Sequence, residues 1–316
     1  MNEVTVPIYL LAGFLESGKT TFLNFTLQQD YFCIDGKTLL ILCEEGEEEY
    51  DMEALALTNT VVEIIEKEED LTPERLAAME ILHQPERVIV EYNGMWLVSK
   101  FEKMQKPKGW GIEQHIVCVD ASTFQMYMAN MKSIFMDMVR GADMVVFNRC
   151  KASDPLATYR RGIKVANQRA EIIFEDEEGE IDNIFQDEMP FDVNAPLIDI
   201  LPEDYGIWFV DAMDHPDTYV GKTVRFKGRA LKPRGMGSRF FVPGRMAMTC
   251  CADDTTFLGY VCKSDDTPRI HEGQWVEVTA RVAFEQRMEY QGEGIVLYAD
   301  CVAPCEALAD EMVYFN

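Results

Sequence analysis

Apolar positions along the first two-thirds of the chain come in short unbroken runs separated by amphipathic stretches. "VPIYLLAGF" (6–14), "TLLILCE" (38–44), "RVIVEY" (87–92), "HIVCVD" (115–120) and "DMVVFN" (143–148) read as strands that are apolar nearly throughout. Between them, "KTTFLNFTLQQ" (19–29), "TPERLAAMEILH" (72–83) and "TFQMYMANMKSIFMDMVRGA" (123–142) read as helices. Strands alternating with helices, and apolar on both faces, predict an α/β domain with a mostly parallel sheet covered on each side. Thr72-Pro73 supplies a helix N-cap and a first-turn proline. Arg75 stands where a capping box would place Glu or Gln.

The period changes near residue 200. "GKTVRFKGRALK", "RFFVPGRMAMTCC", "TFLGYVC", "QWVEVTARVAF" and "GIVLYADCVAP" are short, rich in strand formers and separated by segments containing Gly, Pro or Asp. Five such strands predict a small all-β, OB-like barrel. The joint falls within "DEMPFDVNAPLIDILPEDYG", where "APLIDI" is a candidate for pairing with the barrel. The expected domains are therefore 1–195 and 196–316.

The chemistry-bearing signal lies at the end of the first apolar run. Gly13-Phe-Leu-Glu-Ser-Gly18-Lys19-Thr20 fits G-x-x-x-x-G-K-[ST] and sits between a strand and a helix. In that setting backbone N–H groups surround phosphate oxygens, helped by the positive end of the helix. The cradle residues are Gly13, Glu16, Ser17, Gly18, Lys19, Thr20 and Thr21, with Lys19 reaching the β- and γ-phosphates and Thr20 helping to hold Mg²⁺.

"GFLESGKTTF" resembles the loop of the CobW-type GTPases, relatives of the nickel-insertion GTPases that serve urease and hydrogenase. "LCEEGEEEYD" (42–51) is similar to that family's switch segment, and "VIVEYNGMW" (88–96) resembles its E-x-x-G segment. "HIVCVDASTF" and "ADMVVFN" resemble its later core segments, so the likeness covers about 1–185. It implies GTP (or ATP) with Mg²⁺, Glu91 and Gly94 near the γ-phosphate and metal, and Glu44, Glu47 or Glu91 supporting metal or attacking water. Slow hydrolysis serving a regulatory or metal-homeostasis switch follows from the same resemblance.

Two departures narrow it. GTPases read guanine with N-K-x-D; here Asn148 fits, Arg149 is a near match, and Lys151 occupies the aspartate's place. Lysine has three donors and no acceptor, so it cannot take the aspartate's part, and Asp154 could do so only after rearrangement of the loop. The metal-handling members also carry Cys-x-Cys-Cys before the E-x-x-G strand, whereas residues 52–87 contain no cysteine. A Zn²⁺ site would have to draw on Cys250 and Cys251, with Asp253, Asp254, Cys262, Cys301 and Cys305 nearby. Adjacent cysteines on a strand face opposite ways, so sharing one metal needs a bend. Cys33, Cys43 and Cys118 read as buried thiols.

The last third resembles the C-terminal domain of a family associated with two-component permeases, on "GRMAMTCCADD" and "QWVEVTARV". That adds association with a permease to the expected partners, beside nucleotide and a protein partner.

Charge shapes the remaining choices. The net charge is −26, with 17 Lys and Arg against 37 Asp and Glu in residues 1–201. Such a surface disfavours general nucleic-acid binding. Residues 218–252 run the other way, with eight basic residues (Lys222, Arg225, Lys227, Arg229, Lys232, Arg234, Arg239, Arg245) and no acid. This ribbon is expected to dock on the acidic domain or an acidic partner rather than on nucleic acid, for which Phe240 and Phe241 would be the stacking rings. Nine cysteines, an odd count, argue against a disulfide framework. With no basic leader and no membrane-length apolar run, the expected compartment is the cytoplasm and no membrane insertion is expected. Two other classes remain: a nucleotide-gated protein-binding module with negligible turnover, and a metal-delivery protein using the barrel cysteines.

Overall fold

The computed structural model describes residues 4–181, 189–249 and 254–315. The chain divides into two compact units, Met1–Leu156 with Asn167–Asn183 and Ala157–Ala166 with Ile184–Asn316.

The first unit is an α/β layer structure. Its elements are β1 (Val6–Ala12), α1 (Lys19–Leu27), β2 (Thr38–Leu42), α2 (Met52–Leu57), β3 (Thr60–Ile64), α3 (Pro73–His83), β4 (Arg87–Glu91), α4 (Val98–Lys103), β5 (Trp110–Asp120), α5 (Ala121–Arg140), β6 (Met144–Asn148) and β7 (Glu171–Phe174). The seven strands run β3-β2-β4-β1-β5-β6-β7, and every neighbouring pair is parallel. Strands β1, β2 and β4 are central, and Ile8, Leu10, Leu39, Leu40, Ile89 and Val90 are fully buried. The edge strands β3 and β7 are absent from the expectation because they are only five and four residues long and each carries a glutamate, Glu63 and Glu171, among its few apolar positions. Thr72 caps α3 by accepting from the Arg75 N–H at 3.2 Å, with Pro73 in the first turn. Parallel order brings the C-terminal ends of β1, β4, β5 and β6 to one edge of the sheet, where ligand sites of such folds lie.

The second unit contains α6 (Leu156–Ala166, all but its first residue), β8 (Leu197–Asp199), α7 (Tyr205–Asp214), α8 (Pro216–Tyr219), β9 (Thr223–Leu231), β10 (Phe240–Met248), β11 (Thr255–Gly259), β12 (Val261–Lys263), β13 (Trp275–Arg287), β14 (Gly292–Pro304) and β15 (Met312–Val313). Strand β9 pairs both β13 and β10, closing the ring β9-β10-β12-β14-β13. Only β12 and β14 are parallel within it. This is the connectivity of an OB-type barrel. "APLIDI" does pair with the barrel, through Leu197 opposite Thr223.

Helix α7 corrects the expectation that linker and strands alone occupy this region. Tyr205, Trp208, Phe209 and Ala212 recur at helical spacing and are buried in the barrel's core cluster. The ribbon 218–252 is also corrected, because much of its charge is used inside the unit. Arg225 makes a two-pronged ion pair with Asp199, at 2.9 and 2.7 Å. Arg245 is buried on the carbonyls of Pro202, Asp310 and Met312. Lys232 Nζ donates to the Thr267 and Ile270 carbonyls. Phe241 is fully buried and so cannot stack on a base, and Phe240 lies under the Arg287 guanidinium at 4.4 Å.

Cys33 is exposed, contrary to expectation, because it follows a short 3-10 turn at Asp30–Phe32 rather than a strand. Cys43 and Cys118 are buried, and burial pushes both thiols up to about 12. No helix among the described residues is long and apolar enough to cross a membrane.

His115 on β5 is 1% exposed, with Nδ1 3.8 Å from Glu102 Oε1. Burial lowers its pKa to about 4 from an ordinary 6.5. The unfolded chain therefore takes up this proton first. The His115 contribution is complete above about pH 6.5 and is lost as pH falls toward 4, amounting to at most about 3 kcal/mol. Denaturant unfolding compared between pH 7 and 4.5 should show wild type losing more stability than His115→Leu. Equal losses would remove His115 as the cause.

Candidate functional site

Glycine governs the local geometry of the loop between β1 and α1. Gly13 has φ +141°, and a Cβ there would lie 2.3 Å from the Cys118 carbonyl oxygen. Gly94, in the loop after β4, lies so close that its Cβ would meet the Gly13 carbonyl oxygen at 2.6 Å. Register fixes this approach, since Leu11 of β1 pairs with Glu91 of β4. The two loops touch through backbone, and no side chain fits between them.

Lys19, 3% exposed, is held at three points. Its Nζ donates to the carbonyls of Gly13 at 3.0 Å and Phe14 at 2.9 Å, and to Glu44 Oε2 at 2.7 Å. Glu44 accepts through its other oxygen from the Gly94 N–H at 3.3 Å. Thr20 Oγ1 donates to Glu91 Oε1 at 3.0 Å, and the Tyr50 hydroxyl donates to Glu91 Oε2. Burial raises the Glu91 pKa above its ordinary value, against the opposing effects of the Tyr50 and Thr20 hydrogen bonds and the Lys19 charge. Glu16 takes φ +60° and accepts from the Glu47 N–H at 2.9 Å. Residues Leu15–Thr21, Glu44, Gly46, Glu48, Glu91 and Arg149 line one cleft.

The structure thus gathers Gly13, Glu16, Ser17, Gly18, Lys19, Thr20, Thr21, Glu44, Glu91 and Gly94 at one place. Glu47 differs: its carboxylate is exposed, and its tie to the loop is its backbone N–H. Tyr50 was not among the expected site residues. Its place seven residues after Cys43, in a segment crowded with acids, gives no sequence signal of a buried hydroxyl on Glu91.

At the end of β6, Asn148 Nδ2 donates to the Ser17 carbonyl at 2.8 Å, tying that loop to the cradle. Arg149 donates to the Glu16 carbonyl at 3.0 Å and to Asp120 Oδ2 at 2.6 Å. Burial acts to raise the Asp120 pKa, but hydrogen bonds from Ser122 and Arg149 outweigh it and hold the carboxyl below its usual value. Ser17 Oγ and Asn148 Oδ1 are buried without a hydrogen-bond partner among the described residues.

The CobW/HypB/UreG nucleotide-binding domain matches residues 7–174, just over half of the chain. The chain belongs to this family. The DUF1980 C-terminal domain matches residues 177–315. Among solved structures, the chain is similar to the hydrogenase maturation factor HypB from Archaeoglobus fulgidus, at 18% identity and TM-score 0.38, over 55% of this chain and 82% of that one. It is similar to the Zn(II)-bound YjiA GTPase from E. coli at 18% identity and TM-score 0.43, over 82% and 89% of the two chains. A Zn(II)-bound triple mutant of YjiA gives 18% and 0.42 over the same shares. None of the curated proteins matches.

The stretch after β6 departs from the expected N-K-x-D pattern, with Lys151 at the last position. Lys151 is exposed. Asp154 spends one carboxylate oxygen on the Lys151 N–H at 2.8 Å, closing its own turn. Cys250, Cys251 and Asp253 lie outside the described residues. Asp254 bonds the Thr249 hydroxyl, and Cys262 is buried in the barrel core. Among the described residues no three His, Cys, Asp or Glu side chains are grouped to hold a metal ion.

Gly94→Ala places a methyl group 2.6 Å from the Gly13 carbonyl oxygen and should push the two loops apart. Nucleotide affinity is expected to fall by about tenfold or more, in line with about 1–3 kcal/mol for backbone displacement at such a contact. Calorimetric titration would read it. Unchanged affinity would mean the loops are not held by this contact.

Proposed function

We propose that the chain is a Mg²⁺-dependent nucleoside triphosphatase that turns over slowly and acts as a regulatory or metal-homeostasis-related switch, using GTP. The observation that carries this reading is Lys19, buried at the mouth of the glycine loop beside the Thr20–Glu91 pair. A buried ammonium within a ring of backbone groups suits a phosphate chain. The hydroxyl of Thr20 and the carboxylate of Glu91 are hard oxygen donors of the kind Mg²⁺ takes. They would hold the ion, which when bound neutralises charge on the phosphates. Ser17 Oγ, buried and without a partner among the described residues, is a further donor for the cradle.

Residues of the chain do the rest by position and charge, since phosphoryl transfer asks little covalent chemistry of a protein. Lys19 balances charge developing on the transferred group. Asn148 fixes the cradle against the β6 loop. Glu44, engaged by Lys19 and Gly94, and Glu47, exposed, are not poised to orient water in this arrangement, which is consistent with slow intrinsic turnover.

The GTP assignment follows the family. With Lys151 and a self-capped Asp154, discrimination against ATP is expected to fall short of the roughly 10⁴-fold that a buried acceptor pair can supply. A second reading, a nucleotide-gated protein-binding module, is favoured by the ties that fasten segment 44–50 to the loop, because a nucleotide that broke them would change the exposed surface.

Titration with GTP and ATP in Mg²⁺, beside Lys19→Ala, tests the proposal. Wild type should bind GTP more tightly than ATP but by less than about 10³-fold, and Lys19→Ala should weaken either by about 100-fold or more. Absence of binding by wild type would end the proposal. A GTP preference beyond about 10³-fold would place a base reader elsewhere.

A further inference from the structure

Glu44 occupies an unusual place for a carboxylate in a phosphate site. One oxygen is on the Lys19 ammonium at 2.7 Å, the other on the Gly94 N–H at 3.3 Å, and the side chain is 10% exposed. These donors come from α1 and from the loop after β4, and they converge on a single anion. What they recognise is negative charge carried on two oxygens, which a carboxylate shares with a terminal phosphate. The segment that bears Glu44 is fastened at three further points. Glu47 N–H donates to Glu16 Oε1 at 2.9 Å, Asn24 Nδ2 donates to the Glu49 carbonyl at 3.3 Å, and the Tyr50 hydroxyl bonds Glu91. Glu44 and Tyr50 thus cover the two groups, Lys19 and Glu91, on which a metal–triphosphate would depend.

We infer that Glu44 is a built-in stand-in for the terminal phosphate of a nucleoside triphosphate, so that a triphosphate releases segment 44–50 and a diphosphate leaves it fastened. The inference rests on the nucleotide reading above. A terminal phosphate takes Lys19 and the Gly94 N–H, and its charge repels the carboxylate it replaces. With Glu44 gone, the segment loses its most buried anchor, and Tyr50 must also leave Glu91 before the carboxylate can meet a metal. A diphosphate has no group competing for the Gly94 N–H, so Glu44 keeps that contact. Triphosphate affinity is reduced by the fraction of molecules in which the carboxylate has left the cradle.

The test compares wild type, Glu44→Gln and Glu45→Gln, the last removing an exposed acid of the same segment. Each is titrated in Mg²⁺ with a non-hydrolysable GTP analogue and with GDP. Glu44→Gln should tighten the triphosphate analogue by about tenfold or more and GDP by less than about threefold, because only the former must evict the carboxylate. Glu45→Gln should change neither. In nucleotide-free protein, acetylation of Lys19 followed by mass spectrometry should be faster in Glu44→Gln than in the other two.

Unchanged or weaker triphosphate binding by Glu44→Gln would overturn the inference. So would an equal gain for both nucleotides, or the same gain in Glu45→Gln, either of which would mark bulk charge as the cause. Failure of all three proteins to bind any nucleotide would overturn the parent reading and the stand-in role with it. In that case faster Lys19 acetylation in Glu44→Gln would still identify the Glu44–Lys19 contact as a lock, which separates the two failures.

Discussion

An ammonium removed from water must find partners, and the glycine-loop end of the cleft is arranged around that requirement. Lys19 is almost wholly buried, and an unpaired charge there would cost several kcal/mol. Two carbonyls and one carboxylate meet it. The carbonyls of Gly13 and Phe14 can turn inward because Gly13 adopts a backbone conformation that other residues rarely take. The carboxylate is drawn from a segment 25 residues away, and its second oxygen then binds the Gly94 N–H. One buried charge thereby sets the path of the loop, the approach of Gly94 and the resting place of segment 44–50.

A buried acid in the same cleft supplies the counterpart. Glu91 ends β4, where the β1–β4 register sets it beside Leu11, and burial favours its protonated form. Thr20 and Tyr50 offset part of that cost by hydrogen bonding. In the nucleotide reading this is an acid held in reserve by its surroundings, with Tyr50 occupying the oxygen that a cation would otherwise use. The lysine and the acid are each satisfied by a residue of segment 44–50, so the segment's position and the chemistry of the cleft cannot be changed separately.

Most of this architecture was legible in the sequence where periodicity and backbone requirements are strong. The central strands β1, β2, β4, β5 and β6 are continuous apolar runs, and the strands of the barrel alternate and are bounded by turn residues. The glycine loop announces itself because few other sequences can turn so tightly beside a helix. Failures occurred where burial is partial or long-range. Edge strands β3 and β7 are short and each carries a glutamate, and α7 lies almost wholly beyond the linker stretch, in residues given no element until their aromatic spacing is set against the barrel core. The basic ribbon looked free because its partners, Asp199, Asp310 and Met312 among them, lie far off in the chain. The contacts of Glu44 and Tyr50 were illegible for the same reason, since an acid run reads as solvated surface until the fold delivers a buried donor to it.

The two ends of the candidate site are determined to different degrees, and this bears on what the site selects. At the glycine-loop end the ammonium, the Gly94 N–H, the Thr20 hydroxyl and the Glu91 carboxylate are all engaged, and displacing any of them requires a ligand that replaces what is lost. In the loop after β6 Asp154 is spent on its own turn, Lys151 is exposed and carries no acceptor, and Asn148 Oδ1 is buried without a partner among the described residues. Discrimination grows with the cost of leaving a buried group unpaired. That cost is concentrated on the phosphates, so in this reading the length and charge of the phosphate chain, more than the identity of the base, decide which nucleotide is held and whether segment 44–50 moves.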